Sequence, residues 1–286
     1  MLDSQISISL EEFFLFRNYV HQEYGIALKD EEITQIGSRL TRLMLESKST
    51  NFKDFYLKAK NDATNKLKDG IIDTITSVET DWFRDTNPWL FFRDKILPNF
   101  IDDLRNKRRE NVVIWSAGAS TGQEPYSIAM LVDETVKKEP KINSKQFFIL
   151  ATDISPSSLY IANSGRYSEI SMKNEMLKAY KSKYFEKTDK IYEIKNEIKK
   201  MIYFMKFNLL NNMDDLPTFD VIFCRNVATH FSLDMKIKLY EKLAEKLDSK
   251  GMLFIGKDES LNSYSNDFER FEYQESSFYR LRKIDV

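Results

Sequence analysis

The chain has 286 residues, of which 42% are hydrophobic and 30% are charged, and its formal net charge is −1. This composition is ordinary for a globular protein and excludes a largely disordered chain. The small net charge gives no global attraction to nucleic acid or to an anionic membrane. A single cysteine, Cys224, excludes an internal disulfide and a thiolate metal cage, and we predict no metal site. Because no signal segment or membrane-length apolar run is apparent, we expect a cytoplasmic protein without membrane insertion.

The first quarter of the chain is predicted to form a small helical domain. Residues 11–23 are rich in aromatic residues, a second helix begins near residue 30, and residues 52–59 fit a third. The second helix carries an apolar stripe at helical spacing, which leaves Arg39 and Arg42 facing water. We predict an all-α domain over residues 1–75, followed by a linker.

The most informative stretch is residues 111–130, NVVIWSAGASTGQEPYSIAM. Its apolar start is typical of a buried parallel strand. A loop of small residues with Gly118 follows, and Pro125 fits the first turn of a helix, where its missing N–H needs no partner. Such a unit lets a ligand approach the backbone closely. A helix N-terminus normally favours an anion, but Glu124 and the absence of Lys or Arg in the loop disfavour a pyrophosphate and favour an adenosyl sulfonium.

A second strand is predicted over residues 147–151, and it ends close to Asp153. An acidic residue at this place can accept hydrogen bonds from both ribose hydroxyls of a nucleoside. Asp153 can equally be read as an N-cap or turn residue before Pro156. Its distance from the glycine loop, some thirty residues upstream, favours the ribose role.

The same alternation of strands and helices continues to the end of the chain. We predict a strand over 220–224, a helix over 233–247, a strand over 251–256 and a terminal hairpin over 271–281. Strands that alternate with helices indicate a mainly parallel sheet with right-handed crossovers. Gly118, Asp153 and Asn226 then fall at the carboxyl ends of strands, where such sheets bind ligands.

Residues 166–207 differ in character, because they are rich in Lys and Tyr and contain short alternating pieces. Residues 184–186 and 192–194 flank a turn, and residues 201–207 read as another strand. We interpret the whole stretch as a small antiparallel insertion.

Together these motifs resemble the CheR family of chemotaxis receptor methyltransferases. WSAGASTGQEPYSIAM is similar to that family's W-S-A-x-x-S-T-G-E-E-P-Y-S-I-A-M, and TDWFRD at residues 80–85 is similar to T-x-F-F-R-D. ATDIS, NLL at 208–210 and FDVIFCRNV at 219–227 extend the match in the right order over nearly the whole chain.

The resemblance implies an α/β fold with three parts. These are an all-α receptor-docking domain over 1–75, a linker over 76–110 that contributes to the cofactor pocket, and a class I (Rossmann-like) S-adenosylmethionine-dependent methyltransferase sheet over 111–286 with its β insertion at about 166–207. The implied cofactor is S-adenosylmethionine, with S-adenosylhomocysteine as its product. The implied partners are the cytoplasmic helical domain of chemotaxis receptors and, as in some members, a receptor C-terminal peptide at the insertion. We expect a monomer that binds no nucleic acid.

The resemblance also assigns roles to matching positions. The implied cofactor-binding residues are Thr80, Arg84, Ala117, Gly118, Glu124, Asp153, Asn208, Leu209, Arg225 and Asn226. Arg84 and Asn226 would position the reacting groups, and Arg39 and Arg42 would dock the receptor. For this arginine pair the alternative is a solvated helix face, with Arg42 paired to Glu46 one turn away.

Three positions depart from the family pattern, and they leave the effect on turnover open. Val78 stands where Asn is usual, His230 where Tyr is common, and Lys257 begins KDES where the family has a Gly-His-Ser-Glu-Asn pattern. We interpret His230 as a packed or hydrogen-bonded residue, because no carboxylate partner can be assigned to it.

No catalytic acid or base is predicted, because a glutamate acceptor with a pKa of about 4.3 is already ionised at neutral pH. The leading hypothesis is therefore methyl transfer to receptor glutamates, giving methyl esters. Two alternatives stay open. One is a methyltransferase for another acceptor such as RNA, against which the absence of a basic stripe counts. The other is a non-catalytic module that binds the cofactor or its product as a signal.

Overall fold

The computed structural model describes residues 7–76, 79–274 and 276–282. Val78, one of the departures from the family pattern, lies outside the described residues.

The N-terminal part is a bundle of four helices. Ser9 begins the first helix with a capping box, and Gly25, at φ 72°, ends it in the left-handed conformation that suits glycine. In the second helix Ile36, Leu40 and Met44 are buried, while both arginines of the opposite face are exposed, as predicted. The helices are α1 (Leu10–Tyr24), α2 (Ile33–Glu46), α3 (Phe52–Lys60) and α4 (Lys66–Ile75).

The linker packs its aromatic residues against the rest of the protein. It contains α5 (Asn87–Phe91), a π-helical turn at Phe92–Ile96 and α6 (Leu97–Arg105). Trp82, Phe83 and Trp89 are fully buried, and Trp89 stacks on Phe223 with ring centroids 5.4 Å apart. Because these rings are buried, they hold the segment between them against the sheet. That segment carries Arg84.

Strands and helices then alternate to the end of the chain. The helices are α7 (Gln123–Val136), α8 (Pro156–Ser164), α9 (Glu175–Tyr184), α10 (Asn196–Lys199) and α11 (Leu233–Lys246). The strands are β1 (Val112–Ala117), β2 (Phe147–Asp153), β3 (Arg166–Ser168), β4 (Phe185–Thr188), β5 (Ile191–Ile194), β6 (Ile202–Lys206), β7 (Phe219–Phe223), β8 (Leu247–Phe254), β9 (Phe268–Tyr273) and β10 (Ser276–Leu281).

The main sheet has seven strands in the order β6-β2-β1-β7-β8-β10-β9. The first five strands in this order are mutually parallel, and β10 runs antiparallel to both of its neighbours. Buried apolar residues cover both faces, so the central strands are apolar throughout. This arrangement confirms the predicted Rossmann-like sheet and its terminal hairpin, and it brings the carboxyl ends of β1, β2 and β7 together.

The small antiparallel sheet is also present, in the order β3-β5-β4. Its extent differs from the prediction, because β6 does not belong to it. β6 pairs in parallel with β2, with Asp153 opposite Lys206, and forms an edge of the main sheet. Ile202 and Phe204 pack against the main core, which explains the pairing. The antiparallel sheet therefore spans residues 166–194 rather than 166–207.

Candidate cofactor pocket

A cavity of about 520 Å³ opens at the carboxyl ends of β1, β2 and β7. The helical domain and the linker enclose it from the other side, through Tyr24, Ile26, Leu28 and Glu79 among others. Nine of the ten residues predicted to bind a cofactor line this cavity, and they are Thr80, Arg84, Gly118, Glu124, Asp153, Asn208, Leu209, Arg225 and Asn226. Ala117, the tenth, is buried at the end of β1 and does not line it.

The loop after β1 needs glycine at position 118. Gly118 has φ 83°, and a Cβ there would lie 2.3 Å from Cγ2 of Val227. The backbone N–H groups of Gly118 and Ala119 both donate to the carbonyl of Thr152 at 2.8 Å. The loop is thereby tied to the end of β2, and its backbone forms a wall of the cavity without a side chain in the way.

Asp153 is held by backbone donors at the end of β2. Its Oδ2 accepts from Ser120 N at 2.8 Å, and its Oδ1 accepts from Ser155 N at 2.9 Å. The N-cap of α8 is Ser155 rather than Asp153, because the Ser155 hydroxyl accepts from Ser158 N. Burial raises the pKa of Asp153, and the backbone donors only partly offset it. The carboxylate is therefore oriented, and its charge is incompletely compensated by the protein.

Glu124 belongs to a buried charge network that the sequence did not reveal. Its Oε1 accepts from the Ser116 hydroxyl at 2.9 Å, and its Oε2 lies 3.3 Å from the Arg225 guanidinium. The same guanidinium contacts Asp85 at 2.9 Å and the carbonyl of Arg84 at 2.7 Å. Burial raises the pKa of Glu124 despite the nearby guanidinium. The charge of Arg225 is thus balanced by two carboxylates, and its contacts with Asp85 and Arg84 hold the linker against the sheet.

Asp85 was not among the predicted residues, although it ends the TDWFRD motif. Its backbone has φ 59°, and Phe83 two residues earlier has φ 46°. Both values lie in the left-handed region, which L-residues rarely adopt. The linker therefore makes an unusual turn, and this turn places Asp85 against Arg225. Only the folded arrangement shows that contact, because the two residues lie 140 positions apart.

Asn208 lines the cavity, but both ends of its side-chain amide are already engaged. Nδ2 donates to the carbonyl of Glu23 at 2.7 Å, and Oδ1 accepts from Leu210 N at 3.0 Å. Ala27 N donates to the carbonyl of His230 at 2.8 Å, and Ile26 forms a β-bridge with Phe231. These contacts join the helical domain to the main sheet along one side of the cavity, and we call them the interdomain seam.

The two arginines predicted to bind a substrate lie in different surroundings. Arg39 lines the cavity, whereas Arg42 does not and pairs with Glu46 at 2.7 Å. His230 also lines the cavity and is exposed, and its ring makes no hydrogen bond within the described residues. Of the interpretation of His230 as packed or hydrogen-bonded, the backbone agrees, because its carbonyl accepts from Ala27 N, but its side chain is exposed rather than packed.

The pocket suits a nucleoside with hydroxyl groups and positive charge. Asp153 offers acceptors and Glu124 adds negative charge, and both residues line the cavity. No group of three or more metal-ligating side chains is found in the ranges that the structure covers. In the same ranges, no helix has the length and apolarity needed to cross a bilayer.

A mainly parallel sheet with a reversed final strand and a cavity at its carboxyl edge is the arrangement of a Rossmann-like S-adenosylmethionine-dependent methyltransferase. Residues 78–277 match the family model described as "CheR methyltransferase, SAM binding domain", and residues 11–76 match "CheR methyltransferase, all-alpha domain". The chain belongs to the CheR methyltransferase family, and its cofactor is S-adenosylmethionine.

Relatives of nearly equal length support this assignment. The chemotaxis protein methyltransferase of Vibrio parahaemolyticus serotype O3:K6 is 34% identical over 97% of this chain and 99% of that protein. Chemotaxis protein methyltransferase 1 of Vibrio cholerae serotype O1 gives the same values. The chemotaxis protein methyltransferase of Borreliella burgdorferi is 34% identical over 91% of this chain and 92% of that protein. The resemblance found in the sequence is thereby confirmed.

Proposed function

We propose that this chain transfers a methyl group from S-adenosylmethionine to glutamate side chains of chemotaxis receptors, giving methyl esters. The observation that carries the proposal is the cavity itself, which brings Asp153, Glu124 and Arg84 together beneath the helical domain. Its relatives are named as chemotaxis protein methyltransferases, which supports a receptor as the substrate.

The charges around the cavity match those of the cofactor. Asp153 would accept from the ribose hydroxyls, and Glu124 would face the cationic amino group. Arg84 donates to the carbonyl of Glu79 at 2.9 Å but forms no ion pair with a described carboxylate. It is therefore available to the cofactor carboxylate, whereas Arg225 is already neutralised. Thr80, Gly118 and Leu209 would complete the walls.

When bound, the cofactor supplies an activated methyl group and a neutral thioether leaving group. The chain has to hold the substrate carboxylate in line with that methyl group and to exclude water. Positioning of this kind can contribute about 7–11 kcal/mol in favourable cases. Arg84 and Asn226 both line the cavity and would fix the reacting groups. No proton has to be moved, because the acceptor is ionised.

The position of Arg39 supports the proposal that an acidic substrate enters the cavity beside α2. It is exposed and lines the cavity, so its charge lies where a glutamate side chain would approach. Arg42 lies one turn further along the same helix and is largely exposed. The two together would orient an acidic helical surface, and we propose residues 1–75 as the docking domain.

The insertion fits an acidic peptide as a second receptor contact. Basic residues outnumber acidic ones by eleven to six between residues 166 and 207. Each outer strand of the three-stranded sheet, β3 and β4, also leaves one edge unpaired within that sheet. An extended receptor tail could add there as a further strand. A peptide matching the receptor C-terminus should bind in calorimetry and should bind more weakly at high salt.

The central test uses cofactor labelled in its methyl group and a purified cytoplasmic fragment of a chemotaxis receptor. We expect label in the fragment that is released as methanol by mild base, because carboxyl esters are base-labile. A fragment with its acceptor glutamates replaced by glutamine is the matched control and should stay unlabelled. Base-stable label would contradict the proposal, and binding of S-adenosylhomocysteine without transfer to any receptor fragment would favour a non-catalytic module.

A further inference from the structure

Glu259 lies outside the cavity, just beyond the carboxyl end of β8, and contacts the loop that carries Asn226. Its Oε2 accepts from two backbone donors, Asn226 N and Gly256 N, each at 2.7 Å. We infer that Glu259 is a positioning residue that sets the Asn226 side chain inside the cofactor cavity. This inference rests on the proposed role of Asn226 as a cofactor residue.

The backbone of Asn226 needs such a support. Asn226 has φ 60°, in the left-handed region that Asn tolerates better than most residues but still at a cost in free energy. A loop in this conformation persists only when its surroundings fix it. The charged acceptor at Glu259 fixes the Asn226 N–H directly and joins it to the end of the neighbouring strand.

Gly256 leaves room for Asn226 and Glu259 to lie close together. A Cβ at Gly256 would lie 2.6 Å from Asn226 Nδ2 and 2.9 Å from Glu259 Oε2. The absence of a side chain at this position therefore lets the amide and the carboxylate pack side by side. Asn226, Gly256 and Glu259 together form a compact support between the ends of β7 and β8.

No hydrogen bond to the Asn226 side-chain amide is found among the described residues. Its Oδ1 is buried without a partner, and so is Oε1 of Glu259. The Asn226 side chain therefore has no fixed hydrogen-bond partner of its own among the described residues, and its direction depends on the backbone that Glu259 holds. Removing the carboxylate would leave two backbone N–H groups without their acceptor, and the loop would then relax.

Five single variants and one double variant test this with S-adenosylhomocysteine as the calorimetric probe. Glu259→Ala should weaken binding about tenfold, whereas Glu259→Gln, which keeps an acceptor oxygen, should stay within about threefold of wild type. Asp258→Ala changes the exposed neighbouring acid and should have no effect. The double variant Glu259→Ala with Asn226→Ala should bind no more weakly than Asn226→Ala alone, because the two residues act as one unit.

The results separate this inference from the proposed site. If Asn226→Ala weakens binding but Glu259→Ala does not, the positioning role is wrong and the site stands. If neither variant weakens binding, the assignment of Asn226 to the cofactor fails. Additive losses in the double variant would indicate a general structural role and would overturn the inference. Glu259→Asp withdraws the carboxylate by one methylene and should weaken binding by an intermediate factor; it decides the matter if the alanine variant does not fold.

Discussion

Replacing Asp153 by Ala should weaken the binding of S-adenosylhomocysteine by at least tenfold while the fold stays intact. In the free protein each carboxylate oxygen accepts one backbone N–H, at 2.8 and 2.9 Å, and each keeps a lone pair for a ribose hydroxyl. A hydrogen bond to a charged group contributes about 1.5–3 kcal/mol, so two of them set an upper limit of about 6 kcal/mol. Because water can solvate the hydroxyls in the variant, we expect a loss of about 2–4 kcal/mol, roughly 30- to 1,000-fold in affinity.

Calorimetric titration with S-adenosylhomocysteine measures this loss, and urea unfolding of the free variants checks that they are folded. Asp73→Asn is the matched control. Asp73 accepts from the Ser155 hydroxyl at 2.6 Å and lies close to Asp153, but it does not line the cavity. The control should keep its affinity within about threefold, as expected for a change outside the binding contacts. Unchanged affinity in Asp153→Ala, or an equal loss in both variants, would refute the ribose contact.

Three further outcomes are expected. Burial raises the pKa of Glu124, so affinity for S-adenosylhomocysteine should fall as the pH is lowered through a value above the ordinary carboxyl range. The contribution of Glu124 itself to the stability of the free protein should rise over the same change. A pH series of titrations checks the affinity, and Glu124→Gln should flatten its pH dependence. Arg39→Glu should slow receptor methylation several-fold more than Arg42→Glu in initial-rate assays, because only Arg39 lines the cavity. Asn208→Ala should lower the free energy of unfolding in urea by about 1 kcal/mol through the lost bond across the interdomain seam; unchanged stability would show that the bond contributes nothing.

The sequence predicted those parts of the site that a short stretch of chain determines. The strand before Gly118, the loop and the start of α7 follow one another within twenty residues, so local pattern was sufficient. Asp153 could be placed because it ends a strand of the same unit. In both cases residue type and chain position together fix where the group must lie.

Contacts between distant segments could not be predicted in this way. The alternation in residues 201–207 indicates a strand but not its neighbour, and the structure pairs it with β2 rather than with the insertion. The ion pair of Asp85 with Arg225 depends on a left-handed turn in the linker. Likewise, Asn208 was predicted as a cofactor-binding residue, while its amide donates to the carbonyl of Glu23 in the helical domain.

The interdomain seam gives the helical domain a second role besides the docking proposed for it. Ala27 bonds to the carbonyl of His230, and Ile26 and Leu28 on either side line the cavity. The helical domain therefore forms part of the wall that would exclude water from the reaction. Because Arg39 belongs to the same domain and lines the same cavity, a substrate that docks on α2 is delivered at the edge of that wall. If receptors dock on α2 as proposed, docking and enclosure of the cofactor depend on one interface, and a change that loosens the seam should impair both.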